Sequence, residues 1–358
     1  MWYNGGVLIQ PNTRIKEAII MPVYRQSQYT TTDPTGQAVD LTEPLQDKRP
    51  NGRPQPWHLH RDQANLLAVA YRILGDEDRA HRVDGCAPRL TFAADDTGHL
   101  KLRNAWFCRV RLCPVCQWRR SLKVFGQTSQ IIQAANASRR GGYQWIMLTL
   151  TIRNVDPDEL PTALTHMSQS WHRLIKTKKW TDAVIGWQRA TEITHNVDPD
   201  STWYNTYHPH YHVLLCVEPS YFNGRKYIPQ AEWTAMWRAA ARTDYDPMVN
   251  IHKIYGSTPA AIAEVSKYAT KPADYLTPWD VDAMADAVRV LSSALHRRRL
   301  LAYGGLCKEL HAKLGLDDVD TGDLVHTDNA DETTAAEAAL VAYSWIPGYR
   351  QYYRNIER

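Results

Sequence analysis

Apolar and polar positions alternate in a regular series through the middle of the chain. Trp145-Ile146-Met147-Leu148-Thr149-Leu150-Thr151-Ile152 is an apolar run of strand length, and Leu160 to Ile175 carries the 3.6-residue spacing of a helix. A strand around Ala183 to Thr194, a polar loop from Asn196 to about Thr206 and a strand His208 to Val217 follow. A helix around Gln230 to Ala241, a strand Val249 to Tyr255 and a helix Pro259 to Lys271 complete the series. The order βαββαβ, plus one helix, predicts an α+β fold: an antiparallel sheet of ferredoxin-like, split-βαβ type with helices packed on one face.

The flanks read differently. Thr30 to Trp57 is rich in Pro, Gly, Thr, Asp and Gln without apolar periodicity and reads as a loop. From Asp62, Ala64, Leu66, Leu67, Val69, Ala70, Ile73 and Leu74 predict an amphipathic helix ending near Gly75. A cysteine-rich segment runs from Cys86 to Cys116, and a helix is expected from Ser121 to about Ser138, closed by Gly141 and Gly142. Val281 to Leu314 looks largely helical, and an acidic loop then leads to an aromatic segment, Ala342 to Tyr353. This gives an irregular lead-in (1–60), a helical, cysteine-bearing module (61–140), a βαββαβ core (141–276), and a helical C-terminal extension with acidic loop and aromatic tail (277–358).

Composition narrows the class. With 358 residues and 44% hydrophobic content the chain can bury an ordinary core. It contains no stretch near the ~18 consecutive apolar residues of a membrane span and no secretory leader pattern at Met1 to Gln10, so no membrane partner and a cytoplasmic location are expected. The net charge of +4 is small, but it is unevenly spread. Basic residues gather at Arg109, Arg111, Arg119, Arg120 and Lys123, at Lys176, Lys178 and Lys179, and at Arg297 to Arg299; carboxylates gather at Asp317, Asp318, Asp320, Asp323, Asp328, Asp331 and Glu332. Any one cluster is explained by a solvated face. Thirteen tryptophans and nineteen tyrosines among the cations suit unpaired bases better.

Four cysteines, Cys86, Cys108, Cys113 and Cys116, include the knuckle Cys113-Pro114-Val115-Cys116. In a cytosolic chain this spacing points to a structural tetrahedral Zn²⁺, since four thiolates complete its shell and leave no position for substrate. The module would present Arg109, Arg111, Arg119 and Arg120 to phosphate. Cys216 and Cys307 lie in apolar surroundings and read as core residues.

The second constellation begins at His210 and His212, which share one strand face because residues i and i+2 point the same way. If the Asn196 to Thr206 loop closes a hairpin, Glu192 falls opposite His210 as a third ligand. Such a set suits Mn²⁺ or Mg²⁺ and would also accept Zn²⁺ or Co²⁺. His208 shares the parity and could touch DNA; His195 does not. On the following predicted helix, Glu264, Lys267, Tyr268 and Lys271 fall within about 100° of arc, although Glu and Lys at this spacing are also routine surface partners. A tyrosine hydroxyl, with a reference pKa near ~10, needs help to attack phosphorus. A metal to polarise the phosphate, Lys271 or Lys267 to stabilise developing charge, and Glu264 to activate water would supply it.

These residues resemble the plasmid rolling-circle replication initiators of the HUH endonuclease superfamily, in the group with one catalytic tyrosine. The resemblance rests on Leu148-Thr149-Leu150-Thr151, His208-Pro209-His210-Tyr211-His212-Val213-Leu214-Leu215, Glu264-Val265-Ser266-Lys267-Tyr268-Ala269-Thr270-Lys271 and Phe107-Cys108-Arg109-Val110-Arg111-Leu112-Cys113-Pro114-Val115-Cys116. It implies an RRM-like HUH core and strand-specific nicking of a single-stranded or hairpin origin by Tyr268, leaving a 5′-phosphotyrosine and a priming 3′-OH. Glu264 matches the position that promotes the terminating hydrolysis, host helicase and polymerase are implied as partners, and Tyr275 is a subordinate match behind Pro272.

Other readings share parts of this pattern. A conjugative relaxase or single-strand transposase uses the same chemistry on other DNA. A non-catalytic, zinc-stabilised DNA-binding regulator would explain the cysteines and basic clusters, but not His210, His212 and Tyr268. A barrel metallohydrolase also carries paired histidines on a strand, yet it needs ~250 residues of βα repeats that the element order does not provide.

Overall fold

The lead-in is more ordered than its composition suggests. The computed structural model describes residues 30–49, 51–254, 259–267, 269–327 and 339–356; Tyr268, Tyr255, Asp328, Asp331, Glu332 and the first part of the lead-in lie outside them. Two strands, β1 (Thr30–Thr32) and β2 (Ala38–Pro44), occupy the predicted loop. Helix α1 (Trp57–Ile73) starts earlier than Asp62, with the Trp57 indole N–H donating to Asp47 at 2.7 Å. Helix α2 (Glu77–Asp84) is capped by the Asp76 side chain, which accepts from the Arg79 N–H. A hairpin of β3 (Arg89–Ala94) and β4 (Leu100–Ala105) then interrupts the module expected to be helical.

Helix α3 (Pro114–Ala137) begins at Pro114 and not at Ser121. Pro at the first helical position lacks only an N–H that would be unpaired there, and its fixed φ favours the helix start. The βαββαβ series is present as β5 (Gln144–Thr151), α4 (Leu160–Leu174), the short α5 (Lys178–Ala183), β6 (Val184–His195), β7 (Tyr207–Val217), α6 (Gln230–Ala241) and β8 (Val249–Ile254). Helix α7 (Pro259–Val265) ends well before Lys271. There the Ser266 hydroxyl donates back to the Ile262 carbonyl at 2.5 Å, a local bond that competes with helix continuation.

The C-terminal region differs most from expectation. After α8 (Val281–Ala294) comes a strand, β9 (Leu301–Gly305), then α9 (Leu306–Lys313), β10 (Ala339–Ile346) and β11 (Gln351–Asn355). Strand β9 joins the core sheet, whose order is β8-β5-β7-β6-β9 with every neighbouring pair antiparallel. Gly304 makes that possible, because a Cβ there would stand inside the Trp187 ring. Strands β10 and β11 join a second antiparallel sheet, ordered β1-β2-β11-β10-β3-β4, so both ends of the chain share one layer.

Helices cover both faces of the core sheet, not one. On one face Leu148, Leu150, Tyr211, Val213 and Leu215 pack with Trp171 of α4 and Trp233 and Trp237 of α6. Trp171 meets Trp180, Trp187 and Tyr211 edge to face, the geometry the aromatic quadrupole favours. On the other, Met147, Leu214 and Cys216 pack with Ile131 and Ile132 of α3, Ile262 and Val265 of α7, and Leu310 of α9. By strand parity, His210 and His212 belong to this second face, just beyond its apolar patch. Among the described residues no helix is long and apolar enough to cross a membrane.

Candidate active site

The β6–β7 ladder sets the core of the site. Glu192 pairs directly with His210, and Ala190 with His212. All three polar side chains are nearly inaccessible, at 3% for Glu192, 9% for His210 and 7% for His212. Glu192 Oε2 lies 2.8 Å from His212 Nε2 and 3.3 Å from His210 Nε2, and the ligand atoms of the trio all fall within 4.8 Å of one another. Burial alone would raise the Glu192 pKa, but hydrogen bonds from both imidazoles and their charges outweigh it and hold the carboxyl well below the usual carboxylate range.

Ring tautomers are set from behind. His210 Nδ1 is 3.1 Å from the His208 carbonyl, which can only accept, so Nδ1 carries a proton and Nε2 is the nitrogen turned toward Glu192. His212 Nδ1 is 3.4 Å from the Thr149 hydroxyl, which serves either tautomer. Two imidazole nitrogens and a carboxylate oxygen thus converge, a donor set that fits a divalent ion with positions left open.

The segment after α7 reaches the same place by running along the free edge of β6. Beyond the β9 pairing, the Thr191 N–H donates to the Leu300 carbonyl at 2.9 Å and the Ile193 N–H to the Ala269 carbonyl at 2.6 Å. His195 Nδ1–H then donates to the Asp274 carbonyl at 2.8 Å, while its ring stacks on Tyr207 at 4.3 Å. Glu264 Oε1 consequently sits 3.5 Å from His212 Nε2 and 2.6 Å from Lys267 Nζ, and Lys271 Nζ 3.7 Å from Glu192 Oε1. The expected shared helical arc is not what joins them, since Lys267 and Lys271 follow the helix end; the edge of β6 does so. Asp274 is half-buried nearby, its carboxyl pushed up to about 6 by desolvation against the opposing charge of Lys271. His208 is half-buried beside His210, their rings 5.4 Å apart.

Tyr275 is excluded as a nucleophile. It is fully buried, its hydroxyl donates to the Leu112 carbonyl at 2.6 Å and accepts from Gln117 Nε2 at 3.2 Å, and burial raises its pKa well above the ordinary value. It plugs instead into the core around the cysteines.

Those cysteines form a second ligand group. Cys86, Cys108, Cys113 and Cys116 are buried free thiols with Sγ separations of 3.7 Å (Cys86 to Cys116), 3.7 Å (Cys108 to Cys116) and 3.6 Å (Cys113 to Cys86). A tetrahedral four-thiolate zinc with Zn–S of about 2.3 Å has S···S edges of about 3.8 Å, so the spacing fits that ion. Cys113 occupies the N-cap of α3, and Arg109 takes a left-handed conformation (φ 57°) in the turn between Cys108 and Cys113.

Two of the arginines beside the knuckle do not face outward as expected. Arg119 and Arg120 are buried; Arg119 donates to the Leu324 and Val325 carbonyls, and Arg120 to the Arg109 carbonyl. Arg109 donates to the carbonyls of Thr321 and Gly322, Arg111 pairs with Asp320 at 3.4 Å, and Lys123 holds Asp317 at 2.5 Å. These cations neutralise and anchor the acidic segment, and Arg119 and Arg120 are held there below the surface. Missed from sequence was Thr149 behind His212, which strand alternation in Leu148-Thr149-Leu150-Thr151 signals.

A split-βαβ sheet carrying a buried carboxylate–imidazole cluster, backed by a four-cysteine knuckle, defines a protein with two candidate metal centres. The profile of the replication protein family matches residues 99–353, and the chain belongs to that family. "Protein rep" of Bacillus amyloliquefaciens is 40% identical over 334 residues, spanning 86% of this chain and 96% of its own length. Proteins of the same name from Lactiplantibacillus plantarum (38% identical; 82% of this chain, 92% of the relative) and Streptococcus pneumoniae serotype 2 (37%; 86% and 95%) are similar. No solved structure matches. Family membership bears out the resemblance to plasmid replication initiators read from the motifs.

Proposed function

We propose that the chain starts rolling-circle replication of a plasmid by nicking one origin strand and holding its 5′ end covalently. The observation that carries this reading is the convergence of Glu192, His210 and His212, with Glu264 and Lys267 of the tyrosine motif, on one buried point of the sheet. The Tyr268 hydroxyl gives up its proton as its oxygen attacks the scissile phosphorus, the P–O3′ bond breaks, and the departing oxygen takes up a proton in exchange to become the priming 3′-OH. The 5′-phosphate stays esterified to Tyr268. To end the round, the oxygen of a water attacks that phosphorus as Glu264 takes the water's proton, the P–O bond to Tyr268 breaks, and the tyrosine oxygen recovers a proton from Glu264. Mn²⁺ or Mg²⁺ held by Glu192, His210 and His212 would polarise the phosphate. Lys271 and Lys267, drawn to the two carboxylates, add positive charge where charge develops on the phosphate. Cys86, Cys108, Cys113 and Cys116 would hold a structural Zn²⁺ that fixes the start of α3 and the seat of Tyr275.

The test is Mn²⁺-dependent cleavage of hairpin DNA from the replicon that encodes the chain, with mass spectrometry locating the adduct. Wild type should carry DNA on Tyr268, and Tyr268→Phe should neither cleave nor form an adduct. Persistence of both in the variant refutes the assignment.

A further inference from the structure

A cavity of about 370 Å³ opens beside the Glu192–His210–His212 cluster, and the nicking reaction described above does not use it. Its lining includes Ala190, which pairs with His212 across the β6–β7 ladder. Ala190 and Glu192, two residues apart on β6, are separated by about 6–7 Å of strand rise. Lys267 and Ala269, the chain neighbours of Tyr268 on either side, also line it. The cavity is therefore lined by the residues flanking Tyr268 and lies one strand step from the metal cluster.

Its chemistry is asymmetric. Val124 of α3, Val265, Leu301 and Leu316 give it apolar walls. Tyr303 of β9 and His311 of α9 close one side with rings 4.6 Å apart. The Tyr303 hydroxyl is buried and has no hydrogen-bond partner among the described residues, a costly state unless a ligand completes it. Burial raises its pKa, so the hydroxyl stays protonated and available as a donor. Arg299, Lys308 and Lys267 place three cations around the same space, against the carboxylates of Asp318 and Asp320. A volume near the lower end of the ~300–1,000 Å³ typical of small-ligand sites suits one nucleotide and not a duplex.

We propose that this cavity receives the unpaired base next to the scissile phosphate, with the Tyr303 hydroxyl donating to an acceptor on the base edge and Lys308 and Arg299 holding the adjoining backbone phosphate. The inference rests on the nicking reading for its substrate class, but its test reads binding and not cleavage. Tyr268→Phe protein is titrated with single-stranded oligonucleotides tiling the replicon's origin, each carrying one abasic position, and affinity is read by fluorescence anisotropy.

One position beside the nick should lose about tenfold in affinity when abasic. Adding Tyr303→Phe should cut the preference among the four bases at that position from about fivefold to under about twofold, because the lost group makes one neutral hydrogen bond. Leu316→Trp, filling the cavity from a half-buried loop position, should remove the abasic penalty. Lys308→Ala should weaken all sequences alike and lower the salt slope by about one. Abasic penalties that are flat along the oligonucleotide, or unchanged base preference in Tyr303→Phe with unchanged penalty in Leu316→Trp, overturn the proposal. Cleavage persisting in Tyr268→Phe would sink the nicking assignment while leaving this binding pattern intact.

Discussion

The two ligand clusters differ in closure: one is sealed within a core, the other borders partly exposed charged side chains. Both gather their ligand atoms within 4.8 Å. The cysteine group has four like donors, all buried, packed in a core with Leu112 and Tyr275. Four thiolates fill a tetrahedral shell, so such a centre can contribute stability but cannot admit a phosphate. The Glu192–His210–His212 group has three donors and sits beside the partly exposed Glu264 and Lys267. Three ligands leave room for substrate, and the surrounding charges are those a phosphoryl transfer needs.

If that contrast is right, damage to the clusters should fall on different observables. Cys113→Ser should show the largest effect, a loss of at least about 5 kcal/mol in stability together with bound zinc, since metal binding is folding free energy at such sites. Calorimetric melts and elemental analysis check it, and an unchanged melting point with zinc retained would break the comparison. His212→Ala should lower Mn²⁺-dependent nicking by at least about a hundredfold, or ~3 kcal/mol of barrier, while leaving the cysteine-bound zinc and the melting point near wild type. Tyr275→Phe leaves the Leu112 carbonyl without its donor and should cost about 1–3 kcal/mol, with peptide mapping still locating the DNA adduct at Tyr268. Arg111→Ala should do least. Its pair with Asp320 is partly exposed and worth about 0–1 kcal/mol, and origin affinity measured by anisotropy should change less than about twofold.

Local pattern and global pairing were unequally legible. Strand parity placed His210 and His212 on one face, and the hairpin argument placed Glu192 opposite His210, because period-two geometry and loop closure are short-range rules. The βαββαβ order was readable for the same reason. Pairing across the whole chain was not. Strand β2 adopts its conformation against β11 from the far end, and nothing in Ala38–Pro44 alone announces that partner. Leu301–Gly305 looked helical because its neighbours are, whereas Gly304 and Gly305 exist to let β9 approach Trp187 and Ile185. Arg119 and Arg120 looked like a phosphate-binding surface because sequence reports charge and not burial; their partners lie some two hundred residues away in the acidic segment. Ser266 carried the one local hint that α7 would stop.

The bond from the Ile193 N–H to the Ala269 carbonyl has a mechanical consequence. If Tyr268 carries the 5′ end as proposed, the strand it holds is tethered through the backbone to residue 269, whose side chain is buried and whose peptide is tied to β6. Tension from an advancing replication fork would therefore enter the protein one residue from a strand flanked on both sides for much of its length. The sheet would carry the pull in shear across many hydrogen bonds together. The initiator would then behave as an anchor as much as a blade, able to keep hold of the strand it has cut while that strand is drawn away.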